Sequence, residues 1–89
     1  MKRYVFSFSR RADRDFAKLT KNIQKRIDNK LYEWEKLKNP LDKAIKLKTS
    51  VGLFRFRVGD YRLICSKDEQ ENIVVLVILK VGHRKDIYG

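Results

Sequence analysis

A chain of 89 residues with 43% hydrophobic side chains has material for one modest core, and a single domain over residues 1–89 is expected. One Cys and one His exclude an internal disulfide and the usual Cys/His zinc site. The 22 Lys and Arg against 11 Asp and Glu give a formal charge of +11, which points to a polyanion. Nucleic acid comes first, because Lys and Arg contacts to phosphate release counterions. An anionic membrane or an acidic protein also fits, and a merely solvated basic surface is the plain alternative.

Tyr4-Val5-Phe6-Ser7-Phe8 alternates and predicts a first strand with Tyr4, Phe6 and Phe8 on one face. Ser9 is placed to cap a short helix in which Ala12, Phe16 and Leu19 recur at helical spacing. Thr20 begins a second helix, whose apolar stripe of Ile23, Ile27, Leu31, Trp34 and Leu37 is stopped by Asn39-Pro40. Leu41 to Ala44 reads as a connection. Ile45 to Thr49 is either a short strand or an extended lead into Gly52, and it displays Lys46 and Lys48 in both cases.

Residues 53–65 read as a hairpin turning at Gly59-Asp60, with Val58 facing Tyr61, Arg57 facing Arg62, Phe56 facing Leu63 and Phe54 facing Cys65. One face is then apolar, with Cys65 as a small core residue. The other face carries Arg55, Arg57 and Arg62, two of them directly opposed, and like charges paired across strands destabilise a sheet. Something anionic that neutralises them would account for the arrangement. Lys67 to Asn72 predicts a polar loop, and Ile73 to Leu79 a buried strand with both faces covered. Gly82 is expected to break that strand and leave a short basic tail.

The order is strand, helix, helix, then three antiparallel strands. It predicts an α+β fold with the helices packed on one face of the sheet and the arginines on the other. How the second apolar face of the last strand is covered is left open; a bound partner is one answer. The chain opens without a continuous apolar signal region, and no run is long enough to cross a bilayer, so a soluble cytoplasmic protein without a membrane partner is expected.

No Gly-rich phosphate loop and no Gly-x-Ser-x-Gly elbow is present. A basic, partly aromatic surface suits RNA. Attack of the RNA's own 2′-hydroxyl on the neighbouring phosphate needs no metal or cofactor. It needs a group to take the proton, cations for the phosphorane and a donor for the leaving oxygen. His83 and Tyr88 are the uncharged side chains outside the predicted core that suit proton transfer, and a tyrosine also stacks on a base.

Lys46-Leu47-Lys48, then residues 52–64, then Val81-Gly82-His83-Arg84-Lys85-Asp86-Ile87-Tyr88 resemble the RelE family of toxins from type II toxin-antitoxin modules. The resemblance implies a compact sheet with helices on one side and a ribosome-dependent endoribonuclease that cuts mRNA in the A site. It also implies a RelB-like antitoxin, partly disordered when free, that binds the toxin monomer in a heteromeric complex. By the same resemblance Arg62 and Arg84 hold the scissile phosphate, His83 or Tyr88 handles protons, and Arg55 with Lys48 positions RNA. Lys46 and Arg57 are expected to add RNA contacts or raise the local field. The family's prototype carries a lysine two residues before the Arg55 position, where this chain has Leu53, and His83 stands in place of a lysine. A ParE-like inhibitor of DNA gyrase and a non-catalytic RNA- or ribosome-binding module are the alternatives.

Overall fold

The structure, a computed structural model, describes residues 2–48 and 51–87. Its elements are β1 (Arg3–Phe8), α1 (Arg10–Ala17), α2 (Lys21–Glu35), a 3-10 turn (Pro40–Lys43), β2 (Ile45–Lys46), β3 (Leu53–Val58), β4 (Tyr61–Glu69), β5 (Ile73–His83) and α3 (Arg84–Ile87). The strands form one sheet in the order β1-β5-β4-β3-β2. β1 runs parallel to β5, and every other pairing is antiparallel.

Both long helices start where the sequence places a hydroxyl. Ser9 Oγ accepts from the Ala12 N–H at 3.1 Å, and Thr20 Oγ1 from the Ile23 N–H at 3.5 Å. α2 ends earlier than its stripe, with Lys36 as C-cap, so Leu37 lies past the helix and is 37% exposed. Pro40 forces the preceding Asn39 into an extended conformation (φ −143°, ψ 96°), and the Asn39 side-chain Oδ1 accepts from the Leu41 N–H to cap the 3-10 turn.

The core lies between the helices and one face of the sheet. Ile27, Leu31 and Trp34 from α2 and Ala12 from α1 are buried against Phe56, Leu63, Cys65, Leu76 and Ile78. Phe56 is its aromatic centre, 5.0 Å from the Trp34 ring and 5.3 Å from Phe6. Burial holds Cys65 as a neutral thiol and pushes its pKa up to about 12. At the sheet edge Glu35 reaches back from the end of α2 and accepts the Phe6 N–H at 2.7 Å, blocking part of an otherwise open strand edge. Among the described residues no helix is long and apolar enough to cross a membrane.

Three expectations are corrected. Residues 67–69 are strand, not loop: beyond the end of β3 they pair only with β5, so polar side chains remain solvated. Lys2 and Lys67 also hold Glu69 there, at 2.6 and 3.4 Å, and keep its carboxyl below the usual range, the Lys2 hydrogen bond contributing most. Gly82 does not break β5, which continues to His83 and turns into α3 in place of a tail. Only one face of β5 is covered: Val74, Leu76 and Ile78 are buried, while Val75 and Val77 are half-buried on the face without helices. Between Ile64 and Cys65 the β4–β5 register slips by one, leaving Leu79 as an extra residue in β5. In the stretch read as a short strand or an extended lead, Ile45–Lys46 form a short strand, and Thr49 lies outside the described residues.

Candidate anion-binding site

The hairpin register agrees with the sequence reading at all four pairs, Arg57 opposite Arg62 included. Gly59 has φ +58° and Asp60 is not in the positive-φ region, the Gly-first pattern of a type II′ turn. This turn anchors three arginines. Arg62 Nη1 donates to the Gly59 carbonyl at 2.8 Å and to the Tyr61 carbonyl at 3.0 Å. The Arg84 backbone N–H donates to the Asp60 carbonyl at 2.7 Å, and Arg84 Nε lies 3.8 Å from the Asp60 carboxylate. From α2, the Arg26 guanidinium lies over Gly59: a Cβ there would stand 2.6 Å from Arg26 Nη2.

α3 is folded against this frame. Ile87 lies over Gly82, where an added Cβ would approach its Cγ1 to 3.2 Å. The Lys85 backbone N–H donates to His83 Nδ1 at 3.2 Å. Because Gly82 sits opposite Arg62 without a side chain, Ile87 can pack over it and hold α3 beside the Arg62 strand. The result is a concavity of about 510 Å³ lined by Arg55, Arg57, Arg62, Arg84 and Lys85. Among the described residues no carboxylate lines it, and Arg62 is the one buried charged side chain, 5% exposed. Two Arg62 bonds go to carbonyls that carry no net charge, so the arrangement is a preformed cradle for an anion, with planar donors suited to phosphate oxygens.

Arg55, Arg57, Arg62 and Arg84 therefore converge as the sequence suggests. His83 does not join them. It pairs with Tyr61 on the helix-bearing face, its ring edge-on to Tyr61 at 5.5 Å, and lines a separate cleft of about 340 Å³ with Asp15 and Asp86. Lys46 and Lys48 are exposed beside β3, outside the concavity. Tyr88 lies outside the described residues. Lys85 joins the concavity unforeseen, because a helix of four residues carries no periodicity by which it can be recognised.

A family model described as the ParE toxin of type II toxin-antitoxin system, parDE, matches residues 6–88. The RelBE2 toxin-antitoxin complex of Mycobacterium tuberculosis contains a chain with 30% identity and a TM-score of 0.75, with 94% of each chain covered. The chain belongs to the RelE/ParE superfamily of type II toxins. Other members with this fold occur in the RelB-RelE complex of Methanococcus jannaschii (25% identity, TM-score 0.67, 92% and 94% covered) and the RelBE complex of Escherichia coli (21%, 0.66, 90% and 95%). A comparison with curated protein sequences found no significant match for this RelE/ParE-type chain.

Proposed function

We propose that this toxin is a ribosome-dependent endoribonuclease that cuts mRNA by attack of the 2′-hydroxyl on the adjacent phosphate. The observation that carries this reading is the concavity lined by five cations, with no carboxylate among the described lining residues, built around the buried Arg62. Such a cluster stabilises a phosphorane, whose charge exceeds that of the ground-state phosphate, and so favours the transition state. In this reading Arg62 and Arg84 grip the phosphate, and Arg55 and Arg57 position the strand. Lys85 is the lining group able to pass a proton to the leaving oxygen, since a guanidinium stays protonated. Tyr88 keeps, by family resemblance alone, a role in proton transfer or base stacking. His83 becomes a positioning residue: its Nδ1 holds the Lys85 backbone at the start of α3. Lys46 and Lys48 are outlying contacts to RNA.

The partner is a RelB-like antitoxin, a reading supported by similarity to toxins described in RelB complexes. A partner that is acidic and disordered when free complements a charge of +11. Gyrase inhibition is the second reading, favoured by the ParE description of the matching family model. Primer extension on translating ribosomes separates the two. Codon-positioned cuts that fall by about 100-fold or more in Arg62→Met, in line with removal of a transition-state donor, support the ribonuclease. Uncut mRNA together with gyrase-dependent DNA breaks establishes the second reading instead.

A further inference from the structure

We propose that nucleic acid bound in the arginine concavity continues round the free edge of β3 into a second cationic groove beside α2, where Arg26, Lys30 and Lys43 hold its phosphates. This rests on the nucleic-acid reading of the concavity and extends it to a surface on the other side of the sheet edge.

The geometry that joins the two surfaces is the shortness of β2. It pairs only Ile45 with Arg55 and Lys46 with Phe54, so from Phe56 to the turn β3 is paired to β4 on one side and has no strand on the other among the described residues. Arg57 stands on this bare edge and is exposed. It lines the concavity, and it also lines two hollows on the α2 side. One, of about 410 Å³, is bounded by Lys30, Glu33, Trp34, Leu37, Lys43 and Arg57. The other, of about 240 Å³, brings Arg26 and Lys30 against Arg57, Val58 and Gly59. Arg57 is thus shared by surfaces on both sides of the edge.

The charges favour a continuous polyanion. Arg26, Lys30, Lys43 and Arg57 face one carboxylate, Glu33. Among the described residues no ion pair engages Arg26, Lys43 or Arg57. Lys30 meets Glu33 at 3.9 Å within one exposed helix turn, a pairing worth little in water. An acidic helix could also meet such a groove, but the groove's continuity with the concavity through Arg57 favours a strand carrying phosphates at regular intervals. Leu37, past the end of α2 and partly exposed, adds an apolar contact for a base or sugar.

The test uses the full chain and all-deoxy oligonucleotides of about 4 and about 12 nucleotides, short and long relative to typical single-strand sites. Anisotropy is measured across a salt series. The parent is expected to bind the longer strand at least tenfold more tightly. The triple variant Arg26→Gln, Lys30→Gln, Lys43→Gln should lose most of that advantage while its affinity for the short strand changes less than about twofold. Three lost phosphate contacts should lower the slope of log K against log salt by about 2. Equal losses on both lengths, an unchanged slope, or no length advantage in the parent overturns the path. So does an acidic peptide that loses affinity for the triple variant while the longer strand does not. Thermal melting verifies that the variant is folded. If the path fails while Arg62→Met still abolishes mRNA cleavage, the ribonuclease reading stands by itself; if the path holds but no cleavage occurs, the fault lies with that reading.

Discussion

Removing the anion from a cradle of five cations should cost the fold stability, and the size of the effect can be worked from the hairpin. Two guanidinium groups about 7 Å apart at an effective dielectric near 20 repel by roughly 2 kcal/mol. Arg57 and Arg62 are opposed across the hairpin, so this value is a ceiling for their repulsion, and Arg84 and Lys85 line the same concavity. Inorganic phosphate, bound with a dissociation constant near 1 mM, would at about 10 mM stabilise the native state by about 1.4 kcal/mol. For a chain of this size that is a rise in Tm of about 6 to 11 °C. In Arg62→Met two charge-assisted bonds to turn carbonyls are lost, at about 1.5 to 3 kcal/mol each, while the repulsion is relieved. The losses of about 3 to 6 kcal/mol exceed the relief of about 2 kcal/mol, so its Tm without phosphate should drop by at least about 4 °C. Its phosphate increment should almost vanish. Scanning calorimetry of both proteins in phosphate and in chloride of equal ionic strength makes the comparison, and the difference between them cancels the general stabilisation that excluded salts produce. An equal phosphate increment in Arg62→Met would refute the assignment of the anion to this concavity.

Gly82→Ala should push Ile87 away by a few tenths of an ångström, cost about 1 kcal/mol and weaken oligonucleotide binding severalfold by shifting Arg84 and Lys85; Gly82→Ala with Ile87→Ala should recover most of both in a double-mutant cycle. Cys65 binds its proton more tightly folded than unfolded. Stability is thus unaffected below pH 9 and falls as pH rises from about 9 towards about 12, at a slope approaching 1.4 kcal/mol per pH unit. Urea melts of the parent and Cys65→Ala across that range should diverge by this term, and parallel curves would contradict it. Glu35→Ala should free the Phe6 N–H, speed its hydrogen exchange by about tenfold and promote association through the β1 edge, read by NMR exchange and by light scattering.

What the sequence conveyed is set by how local the signal was. The hairpin register was legible in full, because strict alternation on both sides of Gly59-Asp60 leaves one way to pair the strands. Helix starts were legible from Ser9 and Thr20, whereas the end of α2 was not, since Leu37 continues the stripe after the backbone has already turned. The polar stretch 67–69 hid a strand, because strand propensity yields to pairing with β5. Most consequential is Leu79. Counted by strict alternation from Val75, His83 falls on the face of Arg55 and Arg62. The extra residue in β5 reverses that parity, sends His83 to the helix face beside Tyr61, and sets Gly82 opposite Arg62. A bulge in an unbroken apolar run carries no mark in residue type.

That one-residue slip also explains how the fold tolerates the opposed arginines. With unbroken alternation Val81 would stand opposite Arg62, with His83 further along the same face; with the bulge a glycine stands opposite, and Arg62 lies buried against the turn carbonyls. Arg57, at an edge that β2 leaves bare, is free to reach to the opposite side of the strand, where it lines the hollows beside α2. The two charges are therefore held apart by different means, one tethered inward and one extended outward. The field they create together over the concavity is retained, and it is closed on the third side by α3 through Asp60 and Arg84. The repulsion is largest when the concavity is empty and is offset when an anion fills it, which makes the hairpin a frame whose own strain favours the occupied state.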